Sequence, residues 1–288
     1  MSEKEIDEQS GTETTGHEWD GIKELNTPLP RWWLWTFYGT IIWAIGYTIV
    51  YPAWPLISSA TSGVIGYSSR AELDASLVSA KAAQGDVLAQ IEARPVAEIV
   101  ADENLARFAR AGGRSAFKVY CSQCHGSGAE GAVGYPNLND DEWIWGGSID
   151  QVYATIAHGA RSNADDETHF NLMPNFGTES LLTPEQIDVA AKQVASLSGI
   201  EGGEASAEGA QLFTENCAAC HGDTGLGISE LGGPSLADPI WLYGNTLDAI
   251  KGQVQKPRHG VMPAWSTKLG DATIKQLAVY VHSLGGGQ

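Results

Sequence analysis

The longest apolar run of the chain lies near its N-terminus. From Trp32 to Tyr51 the sequence WWLWTFYGTIIWAIGYTIVY contains no charged residue and has about the length that a helix needs to cross a bilayer core. Apolar residues occur all round this helix, and Trp and Tyr stand at its ends, as is typical of membrane interfaces. The pattern predicts one transmembrane helix over residues 31–52. The alternatives are a buried core helix and a cleaved signal peptide, but the preceding residues 1–30 are long and acidic and lack a basic region.

The pattern beyond the span predicts a linker that contains helices, over residues 53–107. The Ala-rich segment from Ala71 to Ala93 has high helix propensity, and Pro95 ends it. A second helical segment, from about Glu98 to Ala111, is predicted to stop at Gly112-Gly113. We expect these helices either to pack on a neighbouring domain or partner, or to form a solvated spacer.

All four cysteines lie in two copies of the pentapeptide C-x-x-C-H. Two thiols three residues apart on one helical turn can each form a thioether with a haem vinyl group, and the next imidazole can reach the iron. Structural disulfides and a zinc site are the alternatives, but neither requires a histidine after each second cysteine. The pattern therefore predicts two covalently bound haem c groups. The residues predicted to hold them are Cys121, Cys124, His125, Cys217, Cys220 and His221.

Besides Met1 the chain has only two methionines, Met173 and Met262, and each precedes a proline downstream of one pentapeptide. Proline fixes φ and stiffens the loop that carries the thioether. We therefore predict iron coordination by His125, His221 and the two methionines, as two His/Met pairs. Such pairs fill both axial positions and raise the reduction potential, which favours electron transfer alone. The spacing does not decide which methionine serves which haem.

The two pentapeptides belong to an internal repeat. Cys217 follows Cys121 by 96 positions, and the chain repeats further landmarks after each motif. We expect the histidine that precedes each methionine to orient the methionine loop or to bind a haem propionate. The first repeat also carries an acidic insertion at residues 160–172. The matching landmarks are Pro136 and Pro234, Leu138 and Leu236, Trp143 and Trp241, and His158 and His259.

Each repeat ends in a predicted helix. The first begins with Thr183-Pro184-Glu185-Gln186, which supplies an N-cap, a proline at the first helical position and a capping box. The second runs from about Asp271 to Leu284. We expect each closing helix to cross the helix that ends in C-x-x-C-H, so that residues 108–200 and 204–288 form two small all-helical domains. The predicted inward positions are Ile187, Ala190, Val194 and Leu197 in the first helix and Ile274, Leu277, Ala278 and Val281 in the second.

The chain is strongly acidic, with 17 Lys and Arg against 35 Asp and Glu and a formal net charge of −18. Such a surface steers cationic partners by long-range attraction and disfavours nucleic acid. For a c-type cytochrome we expect a short-lived, salt-sensitive complex with a Lys-rich donor cytochrome c. Solubility alone is the other interpretation of this charge.

The segment GHEWDGIKELNTPLPRWWLWTFYGTIIW resembles the dihaem subunit, or subunit III, of cbb3-type cytochrome c oxidases. In that family a segment of the type H-x-W-D-G-I-x-E-L-x-N-P-L-P-R-W-W precedes the membrane anchor. Thr27 departs from it, since asparagine is expected there. The resemblance covers nearly the whole chain and implies an all-α fold, with one N-terminal transmembrane helix followed by two tandem class I cytochrome c domains.

The resemblance also implies a role in respiration. The chain would accept electrons from a donor cytochrome c and pass them to the monohaem subunit and the catalytic haem-copper subunit, which reduces O2 to water. The chain itself would be a non-catalytic subunit. The resemblance further implies crosswise ligation, with Met262 on the first haem and Met173 on the second.

The predicted location is the bacterial inner membrane, with a single span. Lys23 and Arg31 lie on the N-terminal side of the span, which favours a cytoplasmic N-terminus. Haem c is attached outside the cytoplasmic membrane, so the haem domains would be periplasmic. We expect Trp19 to Trp33 to contact the catalytic subunit, and a flexible tail is the alternative.

Two other functions fit the same residues. One is an anchored dihaem electron shuttle, or a subunit of another respiratory redox complex. The other is a haem-based gas sensor, which requires a sixth ligand that a gas can displace.

Overall fold

The computed structural model describes residues 5–285, which form eleven α-helices, one short 3-10 helix and one β-hairpin. The chain divides after Ala82 into two compact units. The mainly helical architecture confirms the predicted fold class. The first four residues of the predicted N-terminal segment and the last three of the predicted second domain lie outside the described residues.

The first unit begins with a hairpin that the sequence pattern did not predict. Strands β1 (Thr14–Trp19) and β2 (Ile22–Leu25) pair in antiparallel fashion. The two residues between them, Asp20 and Gly21, have φ values of 50° and 84°. An Asp-Gly pair in this left-handed region is the usual two-residue connection of a hairpin, because its twist matches that of the strands.

Helix α1 (Arg31–Val50) follows Pro30 and corresponds to the predicted span. It is long and apolar enough to cross a membrane, and none of its residues is buried within the chain. This exposure argues against the alternative of a buried core helix. Helix α2 (Ser69–Ala93) follows and continues across the boundary between the two units.

The second unit contains α3 (Val96–Ala101) and α4 (Glu103–Tyr120), where one helix from Glu98 to Ala111 was predicted. Asp102 separates them and caps α4, because its side chain accepts hydrogen bonds from the amides of Asn104 and Leu105. The predicted stop at Gly112-Gly113 is wrong, since α4 runs through both glycines to the first cysteine motif. Helices α5 (Ser122–His125) and α6 (Ile149–His158) follow α4 in the first repeat, and the acidic insertion comes after α6.

The remaining helices repeat this order. The predicted capping box at Thr183 and Gln186 is present at the start of the first closing helix. Of the predicted inward positions, all but Leu197 are buried, and Leu197 packs at the edge of a core cluster. The helices are α7 (Pro184–Leu197), α8 (Ala207–Asn216), α9 (Ala218–His221), the 3-10 helix (Ser229–Leu231), α10 (Leu247–Gln255) and α11 (Asp271–His282).

The closing helices are exchanged between the two repeats. Helix α11, at the end of the second repeat, packs on α4 and α6 of the first. Helix α7, at the end of the first repeat, packs on α8 and α10 of the second. Our expectation that each repeat would fold with its own closing helix is therefore wrong. The glycines of α4 make the exchange possible, because a Cβ atom at Gly113 would collide with the backbone of Gln276 in α11.

Two apolar clusters result, and each combines side chains from both repeats. The first surrounds Phe117 of α4 and includes Leu277 of α11, both almost fully buried. The second surrounds Phe213 of α8 and includes Val194 of α7. Each cluster reaches a cysteine of one motif, Cys121 in the first and Cys217 in the second.

Candidate haem sites

Both pentapeptides form the same local structure. Each histidine ends a short helix. Nδ1 of His125 lies 2.9 Å from the carbonyl oxygen of Pro136, and Nδ1 of His221 lies 2.8 Å from the carbonyl oxygen of Pro234. The carbonyl can only accept, so Nδ1 carries the proton and Nε2 keeps its lone pair. Burial lowers the pKa of both imidazoles, which are therefore neutral at physiological pH. A neutral, oriented imidazole with a free Nε2 is the form that binds a metal ion.

None of the four cysteines, all of which lie within the described residues, forms a disulfide. Burial raises the pKa of Cys121 and of Cys217 to about 11, with a smaller contribution from the second cysteine of each motif. Within residues 5–285, no group of three or more His, Cys, Asp or Glu side chains is placed to hold a metal ion. The arrangement thus offers no support for the zinc alternative, and it fits two separate thioether attachments.

The first site receives the methionine of the second repeat. Met262 packs against the apolar cluster that contains Cys121. Its loop is held on the first repeat by a pair of backbone hydrogen bonds with Ala160, of 3.0 and 2.9 Å. Trp265 and Ser266, just beyond, donate their amides to carbonyls of α6 at Ile156 and Ala157. The Met262 loop is therefore part of the first site although it belongs to the second repeat.

The second site receives the methionine of the first repeat. Met173 lines an open cavity together with Cys217, Cys220 and His221. The cavity has an empty volume of about 1340 Å³ counted out to its mouth, and most of its lining is apolar. Sites for organic cofactors are lined mainly by apolar side chains with a few polar groups, so the lining of this cavity suits a haem.

The two histidines before the methionines have different partners. His259 accepts a hydrogen bond at Nε2 from the backbone amide of Met173, at 3.0 Å, and so holds the methionine loop of the other repeat. His158 lies 3.1 Å from Asp165 and 3.3 Å from Glu167, both in the acidic insertion. Asp165 also accepts a hydrogen bond from Ser266 in the Met262 loop. Both histidines therefore support methionine loops across the repeats.

Two arginines at the second cavity were not predicted from the sequence. Arg161 and Arg258 both line it. Arg161 belongs to the first repeat, and its guanidinium donates to the carbonyl oxygens of Gly260 at 2.6 Å and Asn171 at 3.3 Å. Arg258 lies over the ring of Tyr243, at 4.5 Å from its centre. One signal was present in the sequence, since Arg161 is the only basic residue of the acidic insertion apart from His169.

Two covalent-attachment motifs, each with an oriented imidazole and a methionine-bearing loop over an apolar cluster, define a c-type cytochrome. Comparison with known families narrows this class. A family described as the cbb3-type cytochrome c oxidase subunit III matches residues 109–192 and 204–281. A second, the N-terminal domain of the cbb3 cytochrome oxidase FixP, matches residues 11–58. The chain belongs to the family of subunit III, or FixP, proteins of cbb3-type cytochrome c oxidases.

Full-length relatives agree with this assignment. The chain is 57% identical to the cbb3-type cytochrome c oxidase subunit FixPc of Rhizobium leguminosarum bv. viciae, over all of both chains. It is 56% identical to the FixP subunit of Sinorhizobium medicae, over 99% of this chain and 98% of the relative. It is 49% identical to the CcoP subunit of Cereibacter sphaeroides, over 96% of this chain and 95% of the relative.

Proposed function

We propose that this chain is the membrane-anchored dihaem electron carrier of a cbb3-type oxidase. It would take electrons from a donor cytochrome c and relay them to the monohaem and catalytic haem-copper subunits, which reduce O2. The observation that carries the proposal is the pair of equivalent sites within one folded unit, each built from the cysteine motif of one repeat and the methionine loop of the other.

The residues of the first site would be Cys121, Cys124, His125 and Met262. Those of the second would be Cys217, Cys220, His221 and Met173. A haem c held by these residues would supply a one-electron iron couple. The crosswise assignment is supported by the position of each methionine, since Met262 packs in the cluster of Cys121 and Met173 packs in that of Cys217.

The chain's own residues would prepare the sites for electron exchange. His125 and His221 are fixed by proline carbonyls, so the imidazoles need not reorient when the iron changes its charge. His259 and Ala160 fix the backbone of the methionine loops. Apolar clusters lie beside both cysteine motifs. Rigid ligands in apolar surroundings would keep the reorganisation on electron transfer small.

The exposed helix α1 supports anchoring in the bacterial inner membrane as a single span. We propose a cytoplasmic N-terminus and periplasmic haem domains, because Lys23 and Arg31 lie on the N-terminal side and haem c is attached outside the cytoplasm. The net charge of −18 favours a cationic donor cytochrome c and a strong dependence on salt.

The test is purification of the tagged full-length chain in mild detergent. Haem c content would be measured by pyridine haemochrome assay, followed by reduced-minus-oxidised spectra with and without carbon monoxide. We expect two haem c per chain, together with co-purified haem b and a carbon monoxide-binding centre from the oxidase. Two haems c without haem b would instead indicate an anchored shuttle. A haem c that itself binds carbon monoxide would indicate a gas sensor.

A further inference from the structure

The second cavity carries positive charge that no carboxylate among the described residues neutralises. Arg161 is half-buried, and its partners are the carbonyl oxygens of Gly260 and Asn171. Arg258 is bonded to the carboxamide of Gln253 and the carbonyl of Tyr243. Among residues 5–285 no carboxylate lies within 4.0 Å of either guanidinium. Both arginines thus face the cavity without a counter-ion.

Burial distinguishes Arg161 from the other cations of the second unit. Lys192, Lys251 and Lys275 are also partly or fully buried, but Lys192 and Lys251 share Asp188, and Lys275 pairs with Asp271. Cations of this unit without a carboxylate partner, such as Arg107, are otherwise exposed to water. A half-buried cation without an anion is costly, because it has lost part of its hydration without gaining a partner. The missing anion is therefore expected from the molecule that occupies the cavity.

The backbone of Arg161 also points to a constrained role. Its φ is +55°, in the left-handed region that side chains other than glycine seldom adopt. A backbone of this kind persists where the surroundings determine it, and it is concentrated at ligand-binding positions. Its guanidinium bonds the backbone two residues before each methionine, at Gly260 and at Asn171. The cation therefore lies between the two methionine loops.

We propose that Arg161, with Arg258 at the same cavity, binds a propionate carboxylate of the haem held by Cys217 and Cys220. This inference rests on the proposed function, since it requires a haem in the second cavity. Arg161 would be a positioning residue. It is contributed by the first repeat, so it would fix the second haem relative to the loop of Met262. Its positive charge would also favour the reduced iron, which carries one charge less.

The test is a redox titration of both haems in the full-length, haem-loaded chain in detergent. The variants are Arg161→Gln, Arg161→Lys and the control Arg107→Gln, an exposed arginine of α4 that bonds Asn104 outside the cavity. The haem of the second cavity is recognised as the one whose potential changes most in Met173→His. In Arg161→Gln we expect its affinity for the electron to fall about tenfold, which is about 59 mV for one electron. Arg107→Gln should leave both potentials unchanged.

Arg161→Lys separates charge from structure. Lysine keeps the charge but loses the fixed fork of the guanidinium, so a charge effect should be largely rescued by lysine. A purely structural role predicts that the lysine and glutamine variants shift the potential alike, and that result would overturn the proposal. Unchanged potentials in Arg161→Gln with both haems present would also overturn it, whereas a wild-type chain with one haem would overturn the proposed function itself.

If Arg161→Gln does not retain the second haem, Arg258→Gln takes its place. This arginine is exposed and its bonds lie within its own repeat, so the variant should fold. It should lower the potential of the same haem in the same direction. An unchanged potential in Arg258→Gln, together with a shifted one in Arg161→Lys, would overturn the proposal.

Discussion

Gly113 in α4 provides the sharpest test of the exchanged closing helices. A Cβ atom there would collide with the backbone of Gln276 and with Tyr280, both in α11. Replacing glycine by alanine inside a helix ordinarily stabilises it by about 1 kcal/mol, whereas an extra methyl group forced into a close-packed contact costs about 1–3 kcal/mol. The obstructing atoms are mainly backbone and cannot rotate away. The clash should therefore cost about 2–3 kcal/mol, the upper part of that range, and after the gain in helix propensity we expect Gly113→Ala to lower the free energy of unfolding by about 1–2 kcal/mol.

Thermal unfolding of the full-length, haem-loaded chain, followed by circular dichroism, measures this effect. For a unit of roughly 200 residues, 1 kcal/mol corresponds to about 2–4 °C, so the midpoint should fall by about 2–8 °C. The matched control is Gly252→Ala in α10, where a Cβ atom meets nothing within 4 Å. That variant should raise the midpoint, because it gains helix propensity without a clash.

A double-mutant cycle identifies the helix that causes the clash. A Cβ atom at Gly112 would meet the side chain of Gln276, so Gln276→Ala should partly restore the stability lost in Gly112→Ala. Gln193 of α7 instead lies against Gly209 of α8, so Gln193→Ala should not restore it. If Gly113→Ala stabilises as Gly252→Ala does, or if Gln193→Ala gives the rescue, α11 does not pack on α4.

Three further predictions follow from local contacts. Thr183→Ala removes the capping box of α7 and should lower the free energy of unfolding by about 1 kcal/mol, seen as a lower midpoint in urea; an unchanged midpoint would contradict the cap. Burial, together with the facing carboxylate of Asp238, raises the pKa of Glu142 from the ordinary value of 4.5 to about 7. The free energy of unfolding should therefore fall as the pH rises from 4.5 to about 7. In Glu142→Gln, unfolding curves measured across that range should show a weaker dependence on pH. Gly159 has φ +71° and lies against the carbonyl of Met262. Gly159→Ala should therefore displace the Met262 loop and weaken the ferric iron–thioether absorption band of one haem. A band of full strength in this variant would count against the crosswise site.

Local sequence patterns predicted most of the helices. The apolar run before Tyr51 predicted a helix over residues 31–52, which begins with α1 and ends two residues beyond it, and the capping box at Thr183 placed the start of α7. These features depend on residues close together in the chain. The helix stop that we wrongly predicted at Gly112-Gly113 depends instead on residues far apart in the chain. Glycine there does not end the helix but makes room for α11, which lies more than 150 positions away in the sequence.

The candidate sites were predictable in part. The cysteine motifs identified their own histidines, because attachment needs a fixed local spacing. Arg161 could not be assigned to the second cavity, because its role depends on a loop of the first repeat reaching the other site. The hairpin of β1 and β2 was also missed, although its Asp-Gly turn was a usable signal.

The sequence by itself determined which residues carry the chemistry, where the membrane helix lies and that two similar units exist. Only the tertiary structure decided how the halves of those units combine. Gly113 contacts Tyr280 and Gly209 contacts Gln193, and these two pairs occupy matching positions in the repeats. Both closing helices therefore turn equivalent positions toward equivalent glycines of the cysteine-bearing helices. Local pattern is equally satisfied by either pairing, so the choice depends on packing across the whole unit.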